Sequence, residues 1–139
     1  MINRELINPQ SIVVVGGSNN VHKPGGRLVR NLLDGKYKGE LYVVNAKEDD
    51  VQGLKSYHSV HDIPETELAI ISIPGPACPE AVDVLAKQKN VKAFIVISAG
   101  FGEETHEGAI LEEQMLKSIN EAGASLIGPN CIGLMNMHY

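Results

Sequence analysis

Short runs of consecutive apolar residues alternate along the chain with longer stretches whose apolar positions recur every three or four residues. The runs are Ile12–Gly16, Leu41–Val44, Leu68–Ile73, Ala93–Ile97 and Ser125–Ile127, with a sixth at Gly133–Asn136. Their apolar character is too continuous for half-exposed antiparallel strands, and fits strands covered on both faces. Between them, Gly26–Asp34 sets Leu28, Leu32 and Leu33 on one side and meets Gly35 as a stop signal. Pro79–Lys89 gathers Val82, Leu85 and Ala86 on one face, with Pro79 suited to a first turn. Glu107–Ala122 carries Leu111, Met115, Ile119 and Ala122 at helical spacing before Gly123. One stretch departs from the rhythm. VQGLKSYHSVHDIPETE leaves room only for a short helix about Ser59–Ile63, where Ser59 and Asp62 resemble a capping box.

Alternation of this kind predicts an α/β fold, Rossmann-like and doubly wound, with a mainly parallel sheet of five to six strands flanked by helices. Right-handed crossovers favour the strand order 3-2-1-4-5, with the switch point between the first and fourth strands. Ligands of such sheets lie outside the carboxyl ends of the strands, at that point. Geometry therefore singles out four segments: Gly16–Gly26, Asn45–Asp50, Pro74–Pro76 and Ser98–Glu104.

A length of 139 residues predicts one domain over residues 1–139. Aromatic residues make up only 4%, as expected where Val/Ile strands and Ala/Leu helices build the core. The net charge of −5 argues against a nucleic-acid binder, which normally presents a basic face. No apolar run approaches the roughly 20 residues that cross a bilayer, and MINRELINPQ lacks the apolar centre of a signal peptide. A soluble, cytoplasmic protein is expected, with Cys78 and Cys131 as reduced thiols. The stop at GLMNMHY, with no capping helix or polar tail, looks like a domain cut from a longer protein.

The first segment, GGSNNVHKPGG, lacks the third glycine of the G-x-G-x-x-G fingerprint, yet it suits an anion. Gly16 and Gly17 let a ligand approach the backbone; Ser18, Asn19 and Asn20 add polar groups; Lys23 supplies a cation before a helix start. The second strand ends VVNAKEDD, with Lys47 where an NAD site would place a carboxylate for the ribose hydroxyls. A lysine there suits a phosphorylated ribose, as in NADP or coenzyme A. Pro74, Pro76 and Pro79 stiffen the third segment, so Pro74 would shape a wall. In the fourth, Ser98, Ala99 and Gly100 leave amides open to a ligand, and Gly102 allows a sharp turn. IGPNCIG points Asn130 toward the same crevice. Cys131 has no base near it in sequence, and Cys78 reads better as a small buried residue than as a nucleophile. The five histidines show no metal-ligand spacing, although His22 could touch phosphate; no Walker A motif is present.

Taken in order, INPQSIVVVGGSNN…KPGGR, VVNAKE, AIISIPGPACPEAV, IVISAGFGE and IGPNCIG resemble the N-terminal coenzyme A-binding domain of the NDP-forming (ADP-forming) acyl-CoA synthetases. These are relatives of the succinyl-CoA synthetase alpha subunit. The resemblance implies that Gly16, Gly17, Ser18, Asn19, Asn20 and Lys23 hold CoA phosphates and that Lys47 meets the phosphorylated ribose. It implies that Ile73 and Pro74 line the groove, that Ile97, Ser98 and Ala99 contact the cofactor across the switch point, and that Asn130 lies toward the acyl-transfer end. It implies an acid–thiol ligase that also needs an ATP-grasp domain and a phosphohistidine domain, on the same or a partner chain. The present segment is then a non-catalytic CoA-holding module, in a possible homo-oligomer. SAGFGEE departs from the Thr-Glu-Gly of the succinyl branch, so succinate is not implied. Two other readings remain open at this point: a stand-alone CoA or acyl-CoA sensor, and an NADP-binding domain of a reductase.

Overall fold

The computed structural model describes residues 9–97 and 106–127. Among the described residues, seven strands form one sheet: β1 (Ser11–Val15), β2 (Glu40–Val44), β3 (Asp50–Val51), β4 (Leu54–Tyr57), β5 (Leu68–Ile71), β6 (Ala93–Val96) and β7 (Ser125–Ile127). Among the same residues, three α-helices connect them, α1 (Pro24–Asp34), α2 (Cys78–Gln88) and α3 (His106–Glu121), with a 3-10 turn at Gly75–Ala77 just before α2. The order across the sheet is β3-β4-β2-β1-β5-β6-β7. Every pairing is parallel except β3 with β4.

Alternation along β1 shows how the strand is covered on both faces. Ile12 and Val14 join Leu28, Val29 and Leu32 of α1 in one cluster, together with Val43, Leu68, Ile70, Ala93 and Ile95. Val13 and Val15 point the other way, into a cluster with Val82 and Leu85 of α2, Met115 and Ile119 of α3, and Phe94. All five of Ile12, Val13, Val14, Phe94 and Ile95 are fully buried, so both layers are closed against water. The α/β, doubly wound, Rossmann-like class predicted from the sequence is the class observed.

The strand order predicted from the sequence needs correction. Leu68–Ile71 does not lie beyond the second strand; it pairs directly with β1, Ile12 against Leu68 and Val15 against Ile71. The place beside β2 belongs to β4, whose hairpin with β3 occupies the stretch read as loop and short helix. The turn is Gln52–Gly53, with φ of 53° and 90°, and only these two residues separate Val51 from Leu54. Two successive positive φ values make the type I′ turn whose twist matches the flanking strands. Ser59–Ile63 is a turn, not a helix: Ser59 accepts from the backbone of His61 through Oγ and from Asp62 through its carbonyl. The possible sixth strand at Gly133–Asn136 lies outside the described residues.

This change of order moves the switch point. It falls between β1 and β5: the chain leaves β1 toward α1 on one face and leaves β5 toward α2 on the other. The loops after β1 and β5 therefore diverge, and a crevice opens between them. Away from that edge, α2 and α3 are clasped by Asp83, Lys87, Ser118 and Glu121. Ser118 Oγ donates to Asp83 Oδ1 at 2.9 Å, and Lys87 Nζ lies 2.9 Å from both Asp83 and Glu121. Hydrogen bonds from Lys87 and Ser118 hold the Asp83 carboxyl below its ordinary pKa; the bonds to Asp83 and Glu121 raise that of Lys87. Among the described residues, no helix is long and apolar enough to cross a membrane.

Candidate functional site

The crevice is a cleft of about 510 Å³ at the carboxyl ends of β1, β2, β4 and β5. Its floor is the turn after β1. Gly16 has φ +94°, and a β-carbon on it would stand 2.1 Å from the Ser72 carbonyl oxygen, so only glycine lets the ends of β1 and β5 come together here. The helix start presses in from the other side, where a β-carbon on Gly25 would stand 2.0 Å from the Gly16 carbonyl oxygen. Backbone thus takes the space that side chains would otherwise fill, and Gly16, Gly17, Ser18 and Gly25 line the cleft.

Electrostatics at the floor favour an anion. Lys23 is the N-cap of α1 and makes no side-chain capping bond; Pro24 follows at the first helical position, and no acidic residue sits in the first turn. The positive end of the helix is therefore neither capped by a carboxylate nor neutralised by one. Lys23 lines the cleft from this side and Lys47 from the β2 side. No Asp or Glu is among the described residues that line it. Ile73 and Pro74, after β5, supply an apolar wall, with Val60 and Ala81 beside it.

The loop after β2 is shaped by one side chain. Asn45 Nδ2 donates to the Gly17 carbonyl at 2.9 Å, while its Oδ1 accepts from the backbone of Lys47 and Glu48 at 2.9 and 3.1 Å. That turn carries Lys47 to the rim of the cleft. Opposite it, His58 follows β4, lines the cleft, and contacts Asp49 through Nε2 at 2.7 Å.

Of the residues singled out in the sequence, the fold gathers Gly16, Gly17, Ser18, Lys23, Lys47, Ile73 and Pro74 around this one cleft. Asn19 and Asn20 do not line it. Asn19 is used inside the protein, its Nδ2 donating to the Asp50 carbonyl and its Oδ1 accepting from the Gln52 backbone. Asn20 Oδ1 accepts from the backbone of His22, whose side chain is exposed outside the cleft. Ile97 packs against the cluster that includes α1. Ser98, Ala99 and Asn130 lie outside the described residues. His58, Ser59 and Val60 were not singled out as site residues; they follow β4, a strand hidden in an irregular stretch. Cys78 is fully buried at the start of α2, its Sγ 3.6 Å from the carbonyl oxygens of Ile73 and Pro74, consistent with its reading as a small interior residue.

Comparison with known proteins bears on what such a cleft holds. Residues 10–137 match the family model described as the CoA binding domain. The acetate–CoA ligase (ADP-forming) II subunit alpha of Pyrococcus furiosus is 40% identical over 135 residues, covering 96% of this chain and 29% of that protein. The 4-hydroxybutyrate–CoA ligase (ADP-forming) of Nitrosopumilus maritimus is 33% identical over 138 residues, covering 99% of this chain and 20% of that protein. Among solved structures, PH0766 from Pyrococcus horikoshii superposes with a TM-score of 0.84 at 40% identity, covering 93% of this chain and 30% of that one. The chain thus spans less than a third of the length of each of these relatives.

Proposed function

Since the chain belongs to the CoA-binding domain family, we propose that the switch-point cleft holds coenzyme A on behalf of an NDP-forming acid–CoA ligase. One observation carries the reading. Two lysines, Lys23 and Lys47, face a single cleft whose floor is glycine backbone at a helix start, in a chain of net charge −5. Coenzyme A brings a pyrophosphate and a separate 3′-phosphate, so it offers anions at two places. The pyrophosphate lies on Gly16–Ser18 with Lys23, where backbone N–H groups and the helix dipole meet it. The 3′-phosphate meets Lys47. Asn45 and Ala46 stand where an NAD site would need a carboxylate, so an unphosphorylated ribose has no counterpart for its diol. The pantetheine arm runs along Ile73 and Pro74, whose surface is apolar and lacks charge.

In the ligase reaction, acid, CoA and ATP interconvert with acyl-CoA, ADP and phosphate through an acyl phosphate. The CoA sulfur forms its bond to the acyl carbon as the bond from that carbon to the phosphate oxygen breaks, and phosphate leaves. This domain contributes binding and orientation of the thiol carrier. Phosphoryl transfer belongs to ATP-grasp and phosphohistidine domains of the same or a partner chain. Relatives named for acetate and for 4-hydroxybutyrate match this chain over nearly all of its length. This supports a reading in which the choice of acid is made outside this domain.

Isothermal calorimetry with CoA, dephospho-CoA and NADPH tests the proposal. CoA binds, dephospho-CoA binds several-fold more weakly, and NADPH shows no tight saturable binding. Equal affinity for CoA and dephospho-CoA removes the role given to Lys47. Tight NADPH binding without CoA binding overturns the reading as a whole.

A further inference from the structure

The β3–β4 hairpin touches the glycine loop on a side that does not line the cleft, and it does so through hydrogen bonds. Gln52 Nε2 donates to the carbonyl oxygens of Ser18 at 2.8 Å and of Gly26 at 2.9 Å. These two carbonyls bracket the loop, one just after the glycine pair and one in the first turn of α1. The Gln52 backbone N–H donates to Asn19 Oδ1 at 2.7 Å, and Asn19 Nδ2 donates back to the Asp50 carbonyl at 2.9 Å. The tip of the hairpin and the loop are thereby locked to each other from both directions.

The turn by itself does not account for a glutamine here. Gln52 has φ +53°, the first central position of a type I′ turn, where Asn, Asp and Gly are the favoured residues. Its Oε1 is buried with no hydrogen-bond partner among the described residues, which is itself unfavourable. A side chain that suits its own turn poorly and leaves an acceptor unpaired nonetheless directs its amide nitrogen to both ends of the loop. The glutamine is longer than asparagine by one methylene, and that reach is what spans Ser18 and Gly26.

The geometry points to Gln52 as a positioning residue for the cofactor cleft. From outside the lining, it holds Ser18–Gly26 in the one shape that presents the loop's backbone to phosphate. The inference rests on the coenzyme A reading of the cleft. Its physical content is pre-organisation: a loop that samples other shapes binds more weakly by the fraction of time it is competent.

Two substitutions test it, each followed by calorimetry with CoA, thermal unfolding, and hydrogen exchange of the ligand-free protein. Gln52→Asn suits the turn better but cannot reach both carbonyls. It keeps or raises Tm, speeds exchange at residues 17–26, and weakens CoA binding about tenfold. Gln52→Glu puts carboxylate oxygens against carbonyl oxygens at neutral pH. Its affinity relative to wild type recovers in part as pH falls toward about 4.5, where the protonated carboxyl donates its single O–H to one of the two carbonyls. A purely structural glutamine would produce neither the opposed changes in Tm and affinity nor the pH-dependent rescue. Gln52→Asn with wild-type affinity and unchanged loop exchange overturns the inference, as does a loss of affinity that only follows a loss of Tm. If wild type itself fails to bind CoA, the cofactor reading falls, while exchange in the ligand-free variants still decides whether Gln52 holds the loop.

Discussion

Replacing Gly25 by alanine tests whether the cleft depends on backbone lying against backbone. The new β-carbon would stand 2.0 Å from the Gly16 carbonyl oxygen and 2.8 Å from its carbon. Both are main-chain atoms, so no rotamer change relieves the clash. Ordinary contact begins near 3.4 Å, so the start of α1 and the end of β1 must separate by more than an ångström. Overpacking of this kind costs about 1–3 kcal/mol, and the rigid partner puts this case at the upper end. Alanine's better helix propensity offsets up to about 1 kcal/mol. The net is about 2 kcal/mol, which lowers Tm by about 7 °C in a domain of this size. The consequence for binding is larger. Peptide units displaced by an ångström lose charge-assisted hydrogen bonds worth about 1.5–3 kcal/mol each, so CoA affinity falls roughly a hundredfold. Gly123→Ala is the control: it has φ +69° and nothing within 4 Å, so its cost is conformational alone. It loses about 1–2 kcal/mol of stability and leaves CoA affinity unchanged. Thermal unfolding and calorimetry on both proteins give the result. Wild-type Tm and affinity in Gly25→Ala would refute the close-packed loop; equal affinity losses in both variants would show that binding only follows stability.

Three further outcomes are expected. Lys47→Ala weakens CoA about fivefold and dephospho-CoA not at all, because Lys47 is exposed and its attraction to phosphate is screened; calorimetry at two salt concentrations shows the difference shrinking as salt rises. The α2–α3 clasp makes stability pH-dependent at both ends. Asp83 has a lowered pKa, so its contribution is present above about 3.9 and is lost as pH falls through the lower folded value; Lys87 has a raised one, so its contribution is present below about 10.4 and is lost as pH rises through the higher folded value. Tm measured against pH is less acid-sensitive in Ser118→Ala than in wild type, since Ser118 supplies one of the bonds that lower Asp83; identical profiles would contradict this. Phe94→Ala empties a fully buried position and costs about 3–5 kcal/mol in denaturant titration, a large share of the 5–15 kcal/mol typical of a domain.

How far the architecture could be read from the chain depends on how each element is buried. Leu68–Ile71 and Ala93–Val96 are buried at every position, so they stand out as unbroken apolar runs. The β3–β4 hairpin gives no such signal. Within its strands only Val51 and Ser56 are buried, because it forms the sheet's edge and keeps Asp50 and Lys55 in water. Its turn is Gln-Gly, weaker than the Asn-Gly or Asp-Gly that marks a hairpin in sequence. The glutamine that obscured the turn is the residue that reaches Ser18 and Gly26.

The hairpin changes the sheet's order but not the edge at which its loops open, for a geometric reason. In a parallel sheet every strand ends at the same edge, so the loops after β1, β2 and β5 open on one side whatever the lateral order. The segments that border the cleft are therefore set by the strand ends rather than by the lateral order of the strands. What the order decides is adjacency. With β4 beside β2, β5 moves next to β1, and Gly16 meets Ser72 and Ile73 rather than the segment after β6. The same insertion brings His58 and Ser59 to the rim. Side-chain direction is a separate matter from residue type. Asn19 has the right chemistry and place for a phosphate donor, but both ends of its amide are spent on the hairpin. A polar residue in a binding loop thus has two possible employers, the ligand and the loop, and only the position of the neighbouring strand decides between them.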